Sequence, residues 1–284
     1  MRVLDLFSGI GGFSLGLERA GMTTIAFCEI DPYCRAVLKK HWPDVPCHDD
    51  ITTREFREGE ADFITAGFPC QDISAAGKCA GLSGSRSGLF WEVVRAIRLV
   101  RPIGALLENV ADLLHRGMGE VLGALAESGH DAEWDCIPAR AVGAPHGRDR
   151  IWIAAYPDRR GRGANVAGRD HGDGANAGRA QGDRQPGALP GERDQRQVAS
   201  SANADRSWGL QPGWVFSKVR QRLDDGVASA SEWATSWPEK LSQISRMDDG
   251  LSDRLDKAGI DATGNAVVPQ IPEIIGRAIM ESRP

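Results

Sequence analysis

Arg2-Val3-Leu4-Asp5-Leu6-Phe7 is a short apolar run, and Ser8-Gly9-Ile10-Gly11-Gly12-Phe13-Ser14 follows it directly. The next residues, Leu15-Gly16-Leu17-Glu18-Arg19-Ala20, have helical spacing and stop at Gly21. Strand, glycine turn and helix make the first unit of a nucleotide-binding α/β sheet, whose ligands sit beyond the carboxyl ends of the strands. Gly9, Gly11 and Gly12 let the backbone approach a ligand closely. Their spacing departs from GxGxxG, which disfavours a dinucleotide and hydride transfer.

Residues 23–28 read as a second strand that ends in Glu29-Ile30-Asp31-Pro32. An acidic residue about twenty positions past the glycine loop suits hydrogen bonds to a ribose diol. Asp31 followed by Pro32 is also a good helix-capping pair, so Glu29 is expected on the ribose and Asp31 at the start of a helix over 33–41. A short third strand around 45–47 precedes Asp49-Asp50-Ile51. A carboxylate there can accept from an adenine amino group or simply make a turn.

Residues 61–66 form a fourth strand, broken by Gly67 and Pro69, and Cys70 lands at its carboxyl end. A cysteine in that position reads as a nucleophile or as a small apolar residue packed beneath a turn. Residues 75–88, rich in Gly, Ser and Ala without periodicity, have the composition of a mobile lid. An amphipathic helix follows over 89–100, then a fifth strand at 105–107 leading to Glu108-Asn109-Val110. Further on come a helix near 118–128, a strand near 131–137, and Pro145-His146-Gly147-Arg148-Asp149-Arg150 entering a strand at 151–155. In an extended segment Arg148 and Arg150 share a face. Gly264-Asn265-Ala266-Val267-Val268-Pro269 and a helix over 270–280 close the pattern.

The texture changes at Tyr156. Residues 157–207 have almost no large apolar side chains, and such composition reads as loop or disorder. Tyr156-Pro157-Asp158-Arg159, Asn176-Ala177-Gly178-Arg179 and Asn203-Ala204-Asp205-Arg206 resemble decayed copies of one phrase. From 157 to 222 there are twelve Lys and Arg against seven Asp and Glu, although the whole chain carries −5. A basic segment beside an acidic domain is compatible with nucleic-acid contact and equally with a solvated linker. Trp208, Trp214, Phe216, Trp233 and Trp237 then imply a small packed unit or a surface that folds against a partner.

The 284 residues are 41% hydrophobic, enough for a substantial core. The six cysteines form no CxxC pair, so neither a zinc site nor a redox dithiol is indicated, and no metal is expected. No apolar run reaches bilayer length, and the amino-terminal run reads as a strand rather than a signal peptide.

One sheet edge therefore collects a cysteine, a glutamate and two arginines beside a nucleoside-type site. That set suits cytosine chemistry. Carbon 5 of cytosine is a poor nucleophile until a thiolate adds to carbon 6, which makes the ring an enamine able to attack an electrophilic methyl. A carboxyl group against N3 and the exocyclic amine favours the addition, and nearby arginines lower a thiol pKa. A base inside a duplex must first be swung out.

Phe-Ser-Gly-x-Gly-Gly, Pro-Cys-Gln, Glu-Asn-Val and a carboxy-terminal Gly-Asn, in this order, resemble the DNA (cytosine-5) methyltransferase family of bacterial or phage type, over about 1–155 and 260–284. The resemblance implies an α/β, Rossmann-like S-adenosylmethionine-dependent methyltransferase fold with a mostly parallel twisted sheet. It also implies a small irregular target-recognition domain at 156–259. It makes Cys70 the nucleophile, Glu108 the acid engaging N3 and the amino group, and Arg148 and Arg150 the paired arginines of a later motif. The implied S-adenosylmethionine site comprises Phe7, Ser8, Gly9, Gly11, Gly12, Glu29, Ile30, Asp50, Ile51, Pro69, Asn265 and Ala266, with S-adenosylhomocysteine as product. Implied too are double-stranded DNA as substrate, a cognate restriction endonuclease as partner, a monomeric state and a cytoplasmic setting in a bacterium or phage-infected host. Two positions depart from the family: His146 stands where Gln usually precedes the arginines, and only Arg246-Met247-Asp248-Asp249-Gly250-Leu251 stands in for the motif that braces the recognition domain.

Three other readings compete for these residues. A zinc-dependent cytosine deaminase needs PCxxC and HxE; Ile73 occupies the second cysteine position and no His is followed two residues later by Glu. The family's RNA-acting branch carries a short motif of its own in the recognition region that is not seen here. A non-catalytic binder would retain the cofactor site without needing the full catalytic set.

Overall fold

The order of the sheet is set by β1 (Arg2–Leu6), which pairs in parallel with β2 (Thr23–Cys28) on one side and β4 (Phe63–Gly67) on the other. β3 (Cys47–His48) extends the β2 side, while β5 (Gly104–Val110) lies parallel to β4. β6 (His130–Pro138) and β7 (Asp149–Pro157) complete a seven-stranded sheet, with β7 antiparallel to both β5 and β6. The order is β3-β2-β1-β4-β5-β7-β6. The strand order reverses between β1 and β4, so a crevice opens beyond their carboxyl ends. This computed structural model describes residues 1–69, 88–144, 146–158, 213–225, 259, 261–262 and 264–282.

Both faces of the central strands are buried, which is why they read as continuous apolar runs rather than alternating ones. Helices α3 (Leu89–Val100) and α4 (Met118–Glu127) cover one face, packing Phe90, Val93, Ile97, Val121 and Leu125 against Leu4, Ile64 and Leu107. Helices α1 (Gly12–Arg19), α5 (Trp214–Asp224) and α6 (Gln270–Glu281) cover the other, with Phe13, Leu17, Val215, Ile271 and Ile275 against Val3, Phe63, Leu106 and Trp152. Helix α2 (Pro32–His41) starts as its sequence predicts: Asp31 accepts from the backbone N–H groups of Tyr33 (2.8 Å) and Cys34 (3.0 Å), and Pro32 sits at the first position. Among the described residues no helix is long and apolar enough to cross a membrane.

Several elements differ from the sequence expectation. α1 begins at Gly12, inside the glycine turn, and not at Leu15. β5 runs through Glu108 to Val110, while β6 and β7 pair over nine residues each. The helix α5 falls where only a cluster of aromatics was legible. Glu133 on β6 accepts from the N–H groups of Val215 (3.1 Å) and Phe216 (3.3 Å), placing a carboxylate at the helix's positive end. Arg220 grips Asp135 through two nitrogens at 2.6 and 2.8 Å. The expectations for residues 75–87, for 159–212 and for Trp233, Trp237 and Arg246–Leu251 lie outside the described residues.

At the switch point one carboxylate joins three elements. Asp5, 0% exposed, accepts from Ser14 Oγ on α1 and from Thr65 Oγ1 on β4, both at 2.7 Å. Burial, with a smaller push from the charge of Glu29, raises the Asp5 carboxyl from its ordinary 3.8 to about 7, against the two hydroxyl hydrogen bonds that lower it. A carboxyl whose folded pKa exceeds its unfolded value holds its proton more tightly in the native state. Raising the pH between those two values therefore favours the unfolded chain, and the loss is complete above the folded pKa. The gap corresponds to roughly 4 kcal/mol. Between pH 4 and 7 the wild type should lose about that much unfolding free energy relative to Asp5→Asn, as read from denaturant titrations at a series of pH values. Parallel pH profiles for the two proteins would refute the assignment.

Candidate active site at the carboxyl edge of the sheet

The glycine loop is built on unusual backbone. Phe7 (φ 54°), Gly9 (φ 53°) and Gly11 (φ 88°) all lie in the left-handed region, which turns the chain sharply out of β1. Ser8 stitches the turn to β2: its N–H donates to Cys28 O (3.2 Å), its hydroxyl donates to Asp5 O (2.7 Å), and it accepts from Cys28 N–H (3.3 Å). The Ser8 side chain is thus committed to the scaffold. A Cβ on Gly11 would stand 2.6 Å from the Trp42 ring, which is itself pinned by Glu18 at 2.9 Å. At Gly9 a Cβ would meet nothing within 4 Å, so the space before the loop is open.

Glu29, at the end of β2, faces this loop. Its carboxylate accepts from the N–H of Gly9 (2.7 Å) and of Asp31 (2.8 Å), while Arg35 holds the carbonyls of Glu29 (3.1 Å) and Ile30 (2.6 Å). Ile30 is 72% exposed, the most exposed large apolar side chain described. Beyond β3, Asp50 accepts from both the N–H (2.8 Å) and the hydroxyl (2.7 Å) of Thr52, and these bonds hold its carboxyl below the ordinary range. Asp50 is therefore a turn former and an ionised acceptor at once. Ile51 is buried in the core, which leaves only its backbone for a ligand.

On the other side of the switch point, Gly67 ends β4 directly opposite Glu108. Asn109, 3% exposed, donates to Phe68 O (3.0 Å) and accepts from Val110 N–H (2.8 Å), fixing the turn into Pro69. Cys70, the expected nucleophile, lies outside the described residues. Glu108 is 9% exposed and pairs with Arg150 Nε at 2.9 Å. Burial pushes the Glu108 carboxyl up, opposed by the charges of Arg150 and Arg148. A Cβ on Gly67 would come within 3.4 Å of Glu108 Oε2, so glycine keeps that face of the carboxylate clear.

The two arginines do different things. Arg150 is in β7 and reaches Glu108, whereas Arg148 precedes the strand and donates to Gly264 O. Burial and the neighbouring Arg150 lower the Arg148 guanidinium from its ordinary value. His146 is exposed. The segment that carries Asn265 and Ala266 is drawn against α1, because Gly12 and Gly16 present bare backbone to Val267 and Pro269. The expected residues other than Cys70 therefore gather at one edge, in two groups either side of β1 and β4. Asn109 and Asp5 were not among them. Asn109 was visible in the Glu-Asn-Val string, but nothing in a string says which backbone carbonyl a side chain holds.

The family model for C-5 cytosine-specific DNA methylase matches residues 1–170. The Type II methyltransferase M2.BsuMI of Bacillus subtilis (strain 168) is 42% identical over 164 residues, which are 55% of this chain and 42% of that protein. The Type II methyltransferase M1.ScrFI of Lactococcus lactis subsp. cremoris is 36% identical over 161 residues, 55% of this chain and 41% of that one. The chain thus spans less than half the length of these two curated relatives. The solved methyltransferase EhMeth of Entamoeba histolytica is 18% identical with a TM-score of 0.48, over 55% of this chain and 52% of its own.

Gly12→Ala tests how the two groups are joined. Its Cβ would overlap the Val267 carbonyl and stand 3.0 Å from Val267 Cβ. Overpacking two backbones costs about 1–3 kcal/mol. Thermal unfolding should show that loss; an unchanged melting temperature would mean that residues 264–269 are not seated on α1.

Proposed function

The chain belongs to the C-5 cytosine-specific DNA methylase family, and on that premise we propose that it transfers a methyl group from S-adenosylmethionine to carbon 5 of cytosine in double-stranded DNA. The observation that carries this reading is the buried Glu108 carboxyl, paired with Arg150 and set one strand from the turn that leads into Cys70.

The residues at the ends of β1 to β3 fit a nucleoside cofactor. The Glu29 carboxylate is fixed beside the glycine loop by two N–H donors, and its remaining lone pairs suit a ribose diol. Ile30 offers an apolar surface for a base, and Asp50 an ionised acceptor for an amino group. S-adenosylmethionine, when bound, supplies an electrophilic methyl group and leaves as S-adenosylhomocysteine.

The chain's own residues supply the rest. The Cys70 thiolate adds to carbon 6 of a cytosine turned out of the duplex, and the electron pair of the 5,6 double bond moves to carbon 5. Glu108 stabilises that charge by giving a proton to N3 and accepting from the exocyclic amine; its raised pKa is the right direction for a carboxyl that must hold a proton. After methylation a solvent water removes the proton from carbon 5, the electron pair re-forms the double bond, the sulfur leaves as thiolate, and the N3 proton returns to Glu108. Asn109 holds Phe68 and so the turn into Pro69, the residue that precedes Cys70 in sequence. In this reading residues 156–259 deliver the target base, and the chain works as a monomer in a bacterial or phage-infected cytoplasm. A cognate restriction endonuclease is a partner the reading allows.

Mechanism-based trapping tests it. Duplex DNA containing 5-fluorocytosine, mixed with protein and S-adenosylmethionine, should give a denaturation-stable complex, because fluorine at carbon 5 cannot leave as a proton would. Cys70→Ala should form no complex while still binding S-adenosylhomocysteine. Glu108→Gln should slow trapping by about 100-fold or more. Absence of any complex with wild type across DNA of varied sequence would overturn the catalytic reading.

A further inference from the structure

Residues 50–56 join β3 to the segment before β4 without belonging to any strand or helix, yet their backbone is held in place from outside. The holder is Arg95, on the face of α3 turned toward this loop. Its Nη2 donates to Ile51 O at 2.6 Å, its Nη1 to Arg54 O at 3.1 Å, and its Nε pairs with Glu92 at 2.6 Å. Its guanidinium also lies 4.8 Å from the Phe56 ring centre, and that of Arg54 lies 4.6 Å from the same centre. Arg54 is anchored in turn to Glu60 at 2.8 Å. One planar fork therefore fixes two carbonyls three residues apart, which lysine or any neutral side chain cannot do in the same way. The loop it fixes opens with Asp50, whose carboxylate turns on Thr52 in the middle of the clamped stretch.

We propose that Arg95 is a positioning residue for adenine recognition: by clamping Ile51 and Arg54 it sets where the Asp50 carboxylate stands, and so the preference of the site for a 6-amino purine. The inference rests on the cofactor reading above. Arg95 acts through the loop and touches no ligand itself. Its own side chain is 33% exposed, so its removal opens no large cavity in the core.

A general structural role and a positioning role differ in what they do to ligand preference. The test is calorimetric titration of the full chain with S-adenosylhomocysteine and with S-inosylhomocysteine, in which a carbonyl replaces the amino group. Wild type should prefer the adenine ligand. Arg95→Ala should weaken S-adenosylhomocysteine on the order of tenfold and leave S-inosylhomocysteine nearly unchanged, so that the preference collapses. Arg95→Lys, which keeps the charge and one donor, should fall between the two and guards against a variant that fails to fold. Equal losses for both ligands, or an unchanged preference in both variants, would overturn the inference while leaving the cofactor site intact. Failure of wild type to bind S-adenosylhomocysteine would overturn the cofactor reading and this inference together.

Discussion

The geometry of the crevice depends on one buried carboxyl. Asp5 takes a hydroxyl from α1 and another from β4, and it does so with no exposure to water. A buried polar group is tolerated only when its partners are in place, so this trio fixes relative position more sharply than apolar packing does. A slip of β4 by one residue would turn Thr65 to the opposite face and leave one oxygen of the buried carboxyl without its hydroxyl donor. β1 leads into the glycine loop and β4 into Pro69. The interaction that aligns the two strands therefore aligns the two halves of the site.

Glycine makes the second alignment. On the α1 face, Gly12, Gly16 and Gly276 bring helix α6 and the segment before it against α1 at distances that exclude any Cβ. Val267 and Pro269 thereby approach the backbone of α1, just past the glycine loop, although more than 240 residues separate them in sequence. The opposite face has a different character. Phe90, Val93, Ile97 and Leu125 fill it with large side chains, and at Gly119 and Gly123 of α4 an added Cβ would meet nothing within 4 Å. The glycine loop lies where the tightly packed face meets the end of β1.

Much of this was legible because buried parallel strands and glycine turns leave strong marks in a sequence. The runs at 2–7 and 61–66 and the position of Glu108 needed only an apolar strand followed by a break. Other features left weaker marks for physical reasons. β6 and β7 are an antiparallel pair in which β6 is only partly buried, so its pattern gives no clean period and its ends could not be read. α5 buries Val215, Phe216 and Val219 at helical spacing, but they fall in a basic, tryptophan-rich stretch where helix and loop look alike. Arg148 and Arg150 alternate as a strand would place them, yet the strand starts between them and their guanidiniums take different partners. Ile51 keeps its place in the order, with its side chain packed in the core, a burial that the string Asp49-Asp50-Ile51 does not reveal.

The described arginines around the site mostly face inward. Arg35, Arg95 and Arg148 hold backbone carbonyls, and Arg150 holds a carboxylate. This matters most at Glu108, where burial raises the carboxyl's pKa and Arg150 is the largest influence opposing it. Any group that draws Arg150 away removes that opposition, and the carboxyl then holds a proton to higher pH. A nucleotide brings an anionic phosphate able to compete for a guanidinium, and a cytosine brings an N3 that needs a proton. In the proposed reaction the same arrival that supplies the base would therefore ready the acid. In that reaction the 2.9 Å pair between Arg150 and Glu108 is the contact through which the incoming nucleotide would act on the acid.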